Sequence, residues 1–239
     1  MGTPKKPSRS PKSAKKKAAL RLPLTRERAL DVAMALADAG GLAELSMRRL
    51  AQELGVEAMS LYHHVPSKDA ILDGMVDRVF AEIELPRLDL DWKTALRRRC
   101  LSVRAALLKH RWALSVLESR TAPGPSTLTH HDAVLGCLRA GGFSVALTGH
   151  AYALLDAVVF GYVHTELTLP FTTPEETQAV ARAIFEAMPP GAFPHLVELT
   201  KEQVLRPGYS FSNEPAWGLD LVLDGLERAL AAERDAPQR

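Results

Sequence analysis

The 239-residue chain is 46% hydrophobic, enough for a sizeable core in one large domain or two smaller ones. Its aromatics are few and its Ala and Leu abundant, which favours helices over sheets. There is no unbroken apolar run of 18 residues, so no membrane span is expected. The formal charge of +2 hides an asymmetry: residues 1–21 hold eight of the 30 Lys and Arg and no acid, leaving 22 basic against 28 acidic residues elsewhere. Such a chain meets a polyanion at one end only.

The two cysteines, Cys100 and Cys137, fit neither a zinc spacing nor a disulfide framework, and a reduced, cytoplasmic setting follows. The basic N-terminus is not followed by an apolar segment with a cleavage site, so it does not read as a secretory signal.

Residues 1–22 are rich in Lys, Pro and Ser and have little to bury; they are expected to be disordered when free. Either they form an arm adding phosphate or minor-groove contacts, or they are a solvated tail that keeps the protein soluble. Thr25 then caps a helix whose apolar stripe is Ala29, Leu30, Ala33, Leu36 and Ala37, stopped by Gly40-Gly41. Ser46 caps a short amphipathic helix with Met47, Leu50, Ala51 and Leu54 inward, and Gly55 supplies its exit. Ala58–His64 reads as a second short helix with Leu61 inward, closed by Val65 and Pro66.

Two short helices joined by a tight Gly-containing turn are a helix-turn-helix, whose second helix can enter a major groove; a plain helical corner is the bland alternative. Arg48 and Arg49 open the first helix within reach of phosphate or a base edge, while Glu57, Ala58, Ser60, Tyr62, His63 and His64 line the second. Two neighbouring histidines on a helix point about 100° apart, so His63 and His64 are a poor metal pair, and no metal site or cofactor is expected.

Downstream, a helix capped by Ser67 runs to about Leu85 with Ile71, Leu72, Met75, Val79 and Ile83 on one side. It alone joins the reader to the rest. Pro86 ends it, and Arg87–Leu90 form a hinge that divides a helix-turn-helix domain, 23–86, from a larger helical domain, 87–235. That second part is expected to hold helices over Asp91–His110, Arg111–Ser119, Ser126–Ala140, Ser144–Leu169, Thr173–Ala187 and Ala216–Ala232, with a turn-rich stretch at Arg206–Pro215. No strand pattern or internal repeat is present, and the fold class is all-α. The Ser144–Leu169 helix is apolar on more than one face, so a partner copy is expected to cover it.

The run LAQELGVEAMSLYHHVPSKDAILDGM resembles the DNA-binding domain of the tetracycline-repressor (TetR) family of bacterial regulators. The family's pattern stands here as Leu61, Tyr62, His63, His64, Val65, Ser67 and Lys68. The resemblance is specific over Thr25–Val79 and continues more weakly, mostly as helix order, through Asp91–Glu166. By that resemblance Arg48, Ala58, Ser60, Tyr62, His63, His64 and Lys68 fall on positions that touch DNA. It also implies a homodimer on a double-stranded, palindromic operator, released by a small-molecule effector.

Met75, Trp112, Arg120, His131, Asp156, Phe160, His164 and Glu166 are the candidate effector contacts, each taken singly better suited to a structural place. Ser119-Arg120 resembles the family's Thr-Arg pocket step, and Glu166 lies near its metal-linked acid. Val116 stands where the tetracycline-binding members carry a metal-holding histidine, so magnesium-dependent tetracycline binding is expected to be weak. The expected dimer contacts are Leu155, Val159, Tyr162, Leu219, Val222, Leu223 and Leu226.

The competing classes are an enzyme fused to a DNA reader and a nucleoid protein. No phosphate loop, Gly-x-Ser-x-Gly or zinc hydrolase spacing occurs, so no enzyme is expected, and an acidic, apolar C-terminal half does not suit nucleoid packing. Repression, rather than activation, follows the family's habit.

Overall fold

The structure, a computed structural model, describes residues 23–189 and 191–235; the basic arm, 1–22, lies outside the described residues. Those described are helical throughout, with no strand among them. Helix α1 is Arg26–Gly40, entered where the Thr25 hydroxyl accepts the Arg28 N–H at 3.1 Å. Helix α2, Met47–Leu54, starts at the Ser46 hydroxyl, which takes the Arg49 N–H at 3.1 Å. It ends on Gly55, whose φ of 68° and ψ of 33° place it in the left-handed region. Helix α3 is only Ala58–Tyr62, shorter than the sequence suggests. The His64 and Val65 N–H groups both return to the Leu61 carbonyl, at 3.0 and 2.9 Å, and close the helix ahead of Pro66.

Helix α4, Lys68–Ala81, begins with the Ser67 hydroxyl accepting the Ala70 N–H at 3.0 Å. It also stops early, because Glu82 and Ile83 tighten to three-residue bonds onto Val79 and Phe80 as the chain approaches Pro86. One side of α4 packs on α1 and another on α6, Pro125–Ala140. Leu72, Met75, Val76, Val79 and Phe80 are buried between them. Helix α5, Trp92–Lys109, lies against α6, α7 and α10, which are Pro125–Ala140, Val145–Thr168 and Glu214–Asp235. One apolar core runs unbroken from Ala29 in α1 to Leu230 in α10.

Between α5 and α6 the chain makes two 3-10 turns, Ala113–Ser115 and Leu117–Ser119, instead of one α-helix. Helix α8, Pro174–Glu186, carries the full capping box of Thr173 and Glu176. Beyond it lies helix α9, Pro194–Leu199, continued by a π turn over Thr200–Val204, a region to which sequence periodicity assigns no element. Six residues on an exposed surface give too short a pattern to read.

Helix α7 is long and apolar enough, by length and composition, to cross a membrane, with a mean hydropathy of 1.3 that a search for unbroken apolar runs overlooks. In the fold it is a bundle helix against α5, α6 and α10, yet only 22% of its most apolar window is buried.

A buried polar joint fastens the first helices to the bundle. The His110 ring, 2% exposed, sets Nδ1 2.8 Å from Asp38 of α1 and Nε2 3.2 Å from Glu82 just past α4. Asp38 also accepts the Trp112 indole N–H at 2.7 Å.

Candidate DNA-reading face and ligand cavity

The helix-turn-helix puts its apolar side chains, Leu50, Ala51, Leu54, Leu61 and Val65, into the core. All eight residues expected at DNA, Arg48, Arg49, Ala58, Ser60, Tyr62, His63, His64 and Lys68, are exposed. Arg49 is engaged by Glu53 at 3.1 Å along its own helix, an exposed pair that phosphate can displace at little cost. Lys68 sits at the first position of α4, where the helix's unpaired N–H groups also favour an anion. Met59, which the sequence reading passed over, is 71% exposed on α3 beside them. A large apolar side chain left in water on a reading helix is the one signal that marks it.

A cavity of about 650 Å³ opens among α4, α5, the turn after Leu117, α6 and α7. Its apolar walls include Val76, Phe80, Ile83, Val103, Leu117 and Phe160. Its polar groups are Asp73, Arg99, Glu118, Arg120, Thr127, His131, Tyr152 and Asp156. Such a mix of broad apolar area and few converging polar groups suits a mid-sized organic ligand.

The polar wall is built on Arg99, a cation only 2% exposed. Its Nη1 donates to Asp156 at 2.8 Å and its Nε to His130 Nε2 at 3.1 Å. Because His130 accepts there, its remaining proton belongs on Nδ1, a buried atom without a hydrogen-bond partner. Burial, reinforced by the adjacent Arg99, drives the His130 pKa down to about 3, so the ring is neutral near pH 7. Beside it the Tyr152 hydroxyl bonds His131 Nδ1, and burial followed by the nearby Asp156 raises the phenol well above its usual range. The Phe80 ring of α4 lies 5.1 Å from His130 and 5.3 Å from His131, so α4 rests directly on this polar wall.

Of the residues expected at the effector, Arg120, His131, Asp156 and Phe160 border the cavity together. The other four are placed elsewhere. Met75 is fully buried in the core, and Trp112 is 5% exposed and committed to Asp38. His164 is exposed on α7. Glu166 takes both guanidinium donors of Arg104 at 2.7 Å and borders a separate, 150 Å³ hollow. Val116 packs against the core and does not border the cavity. Asp73, Arg99, Glu118, Thr127 and Tyr152 are the polar members that sequence reasoning missed.

Most of the expected dimer contacts lie inside the single chain. Leu155, Val159, Leu219, Leu223 and Leu226 are at most 5% exposed within the single chain, where α7 and α10 pack on each other and on α5. Tyr162 and Val222 are half-buried. The outward faces of those helices instead present Leu154, Trp217 and Leu221, 43%, 66% and 53% exposed.

Fold and sites together define a helix-turn-helix DNA-binding unit continuous with a helical domain hollowed around a ligand-sized cavity. Residues 29–75 match the family model for bacterial regulatory proteins of the tetR family, and residues 85–230 that for the tetracyclin repressor-like C-terminal domain. The chain belongs to the TetR family of transcription regulators, whose members are regulators rather than enzymes. It is 33% identical over 241 residues to the HTH-type transcriptional repressor DrrR1 of Streptomyces coeruleorubidus, covering 97% of this chain and 84% of that protein. To the class C tetracycline repressor protein of Escherichia coli it is 29% identical over 230 residues, covering 89% and 94%. Among solved structures, ActR from Streptomyces coelicolor in complex with actinorhodin aligns with a TM-score of 0.74 at 29% identity, covering 87% of this chain and 97% of that one.

Proposed function

We propose that this chain is a ligand-released repressor that binds an inverted-repeat operator as a homodimer and lets go when a small molecule fills the cavity. The carrying observation is one shared helix. Lys68, at the head of α4, follows the reading helix directly, while Asp73, Val76, Phe80 and Ile83 from the same stretch wall the cavity. A ligand acts by favouring one setting of that helix over another, and its differential affinity for the two settings fixes the response. DrrR1 supports repression as the sign, and the ActR–actinorhodin complex supports a small-molecule effector. Arg120 and the apolar Phe80 and Phe160 suit a partly apolar aromatic molecule bearing a carboxylate or phenolate. Val116, partly buried against the core, offers no donor atom to a magnesium–tetracycline chelate. A cytoplasmic setting suits a DNA-binding protein.

The test is a footprint on DNA selected by the protein itself. Twofold-related reading helices should protect half-sites about 34–36 Å apart. His63→Ala or Tyr62→Ala should cost about 1–3 kcal/mol if a base is read, with altered sequence preference. Lys68→Ala should weaken all sequences alike and flatten the salt dependence. Variants that footprint like the unmodified protein would move the reading helix elsewhere.

A further inference from the structure

Along α4 three carboxylates recur every fourth residue, Asp69, Asp73 and Asp77, and so share one side of the helix. Residues 120–127, from the end of the 3-10 turns into the first turn of α6, hold all three. Arg120 Nη1 lies 3.0 Å from Asp69 and 3.6 Å from Asp73. Asp77 accepts the Thr127 N–H at 2.8 Å and the Thr127 hydroxyl at 3.0 Å. At Gly124 the segment passes so close that a Cβ would stand 2.3 Å from the Asp77 carboxyl carbon. The segment therefore straps α4 along two turns of its length.

Arg120 is incompletely used by this strap. Its side chain is 18% exposed, and its buried Nε has no hydrogen-bond partner. Its Nη2 reaches only the Ser119 hydroxyl, at a long 3.4 Å. Nε–H and Nη2–H are the parallel donor pair with which a guanidinium grips a planar oxyanion. Arg120 and Asp73 both border the cavity, whose facing walls include Phe80 and Phe160.

We propose that Arg120 is a contested cation: the carboxylate of a flat aromatic ligand docks on its guanidinium and, as a third anion, weakens its hold on Asp69 and Asp73. The strap over the N-terminal half of α4 then loosens, next to the residues that meet DNA. This rests on the cavity being the effector site. It assigns the ligand an anionic group, and it makes Asp73 an opponent of the ligand although Asp73 lines the same cavity.

Anthraquinone-2-carboxylate and its neutral carboxamide are suitable probes, by calorimetry on the full chain and by competition against operator DNA. The carboxylate should bind about tenfold or more tightly than the carboxamide and release operator at lower concentration. Arg120→Gln should erase that preference while leaving carboxamide affinity within about twofold. Asp73→Asn should act oppositely, tightening the carboxylate severalfold without moving the carboxamide, a gain that mere damage to the fold does not produce. Equal binding of the two probes, binding of neither, or a preference that survives Arg120→Gln overturns the proposal. A missing footprint for the ligand-free protein would instead sink the operator reading alone, since the carboxylate preference is read without DNA.

Discussion

Individual residues in this chain are legible when their chemistry is local and opaque when it is shared across helices. The exposed set on α2, α3 and α4 follows from short caps and from one inward Leu per turn, all within Ser46–Lys68. Trp112 and Met75 show the converse. Aromatic and thioether side chains are equally suited to a pocket wall and to the core, and only tertiary packing assigns both to the core. Arg99 is the last of three consecutive arginines in α5, where its charge reads as an exposed face until Asp156 and His130 arrive from α7 and α6. That buried trio has a pH signature. The His130 pKa, near 3 in the fold, lies far below the ordinary histidine value of 6.5, so the unfolded chain takes up a proton that the folded one refuses. Stability from this group is complete above about pH 6.5 and is lost as pH falls toward 3, by up to ~1.4 kcal/mol per pH unit. Burial lowers His131 in the same direction. Melting temperature should therefore fall steeply from pH 7 to 4, and His130→Gln should flatten that slope whatever it does to stability at pH 7. An unchanged slope would mean that the ring is not held neutral.

At the scale of elements, the helices written by caps and full-length periodicity stand where the sequence put them: α1, α2, α5, α7 and α8 match within a residue or so. The short ones fail for a physical reason. Five or six residues give barely one turn of pattern, so α3 is overextended, the segment after α5 becomes two 3-10 turns, and α9 is missed. The strap contacts escape a sequence reading: Asp69, Asp73 and Asp77 keep a spacing of four, but their partners lie about 50 residues away. The most consequential local device is the turn between α2 and α3. Gly55 holds φ at 68°, and a Cβ there would touch nothing within 4 Å. Gly55→Ala thus adds no clash, only backbone strain of about 1–2 kcal/mol, which should appear as a lower melting temperature. Gly55→Asn, which tolerates the left-handed region, should lose less. If both variants melt with the unmodified protein, the turn adopts another conformation. Operator affinity should track the same order, because α3 is aimed by this single residue.

At the scale of the whole molecule, the unfinished surface is the outer side of α7 and α10. On α7 the exposed positions His150, Leu154, Ala157, Gly161 and His164 recur at three- and four-residue spacing, mostly small or apolar, and α10 adds Trp217 and Leu221. A helix with so apolar a composition and so little of it covered calls for a second copy, and pairing α7 and α10 with their twofold mates gives a four-helix interface. The inner residues that the sequence suggested for this role separate two kinds of damage. Leu223→Arg or Val159→Arg drives a charge into the chain's own core, where each native residue is at most 5% exposed, and should unfold the domain or cost several kcal/mol. Leu221→Arg together with Leu154→Arg places charge on positions about half exposed in the single chain, so each subunit should keep its helicity. Sedimentation equilibrium should then show a dimer for the unmodified protein and a folded monomer for the outer double variant, with operator affinity falling because two half-sites are no longer bound together. A stable monomer of the unmodified protein would refute the dimer, and an outer variant that remains dimeric would place the interface elsewhere.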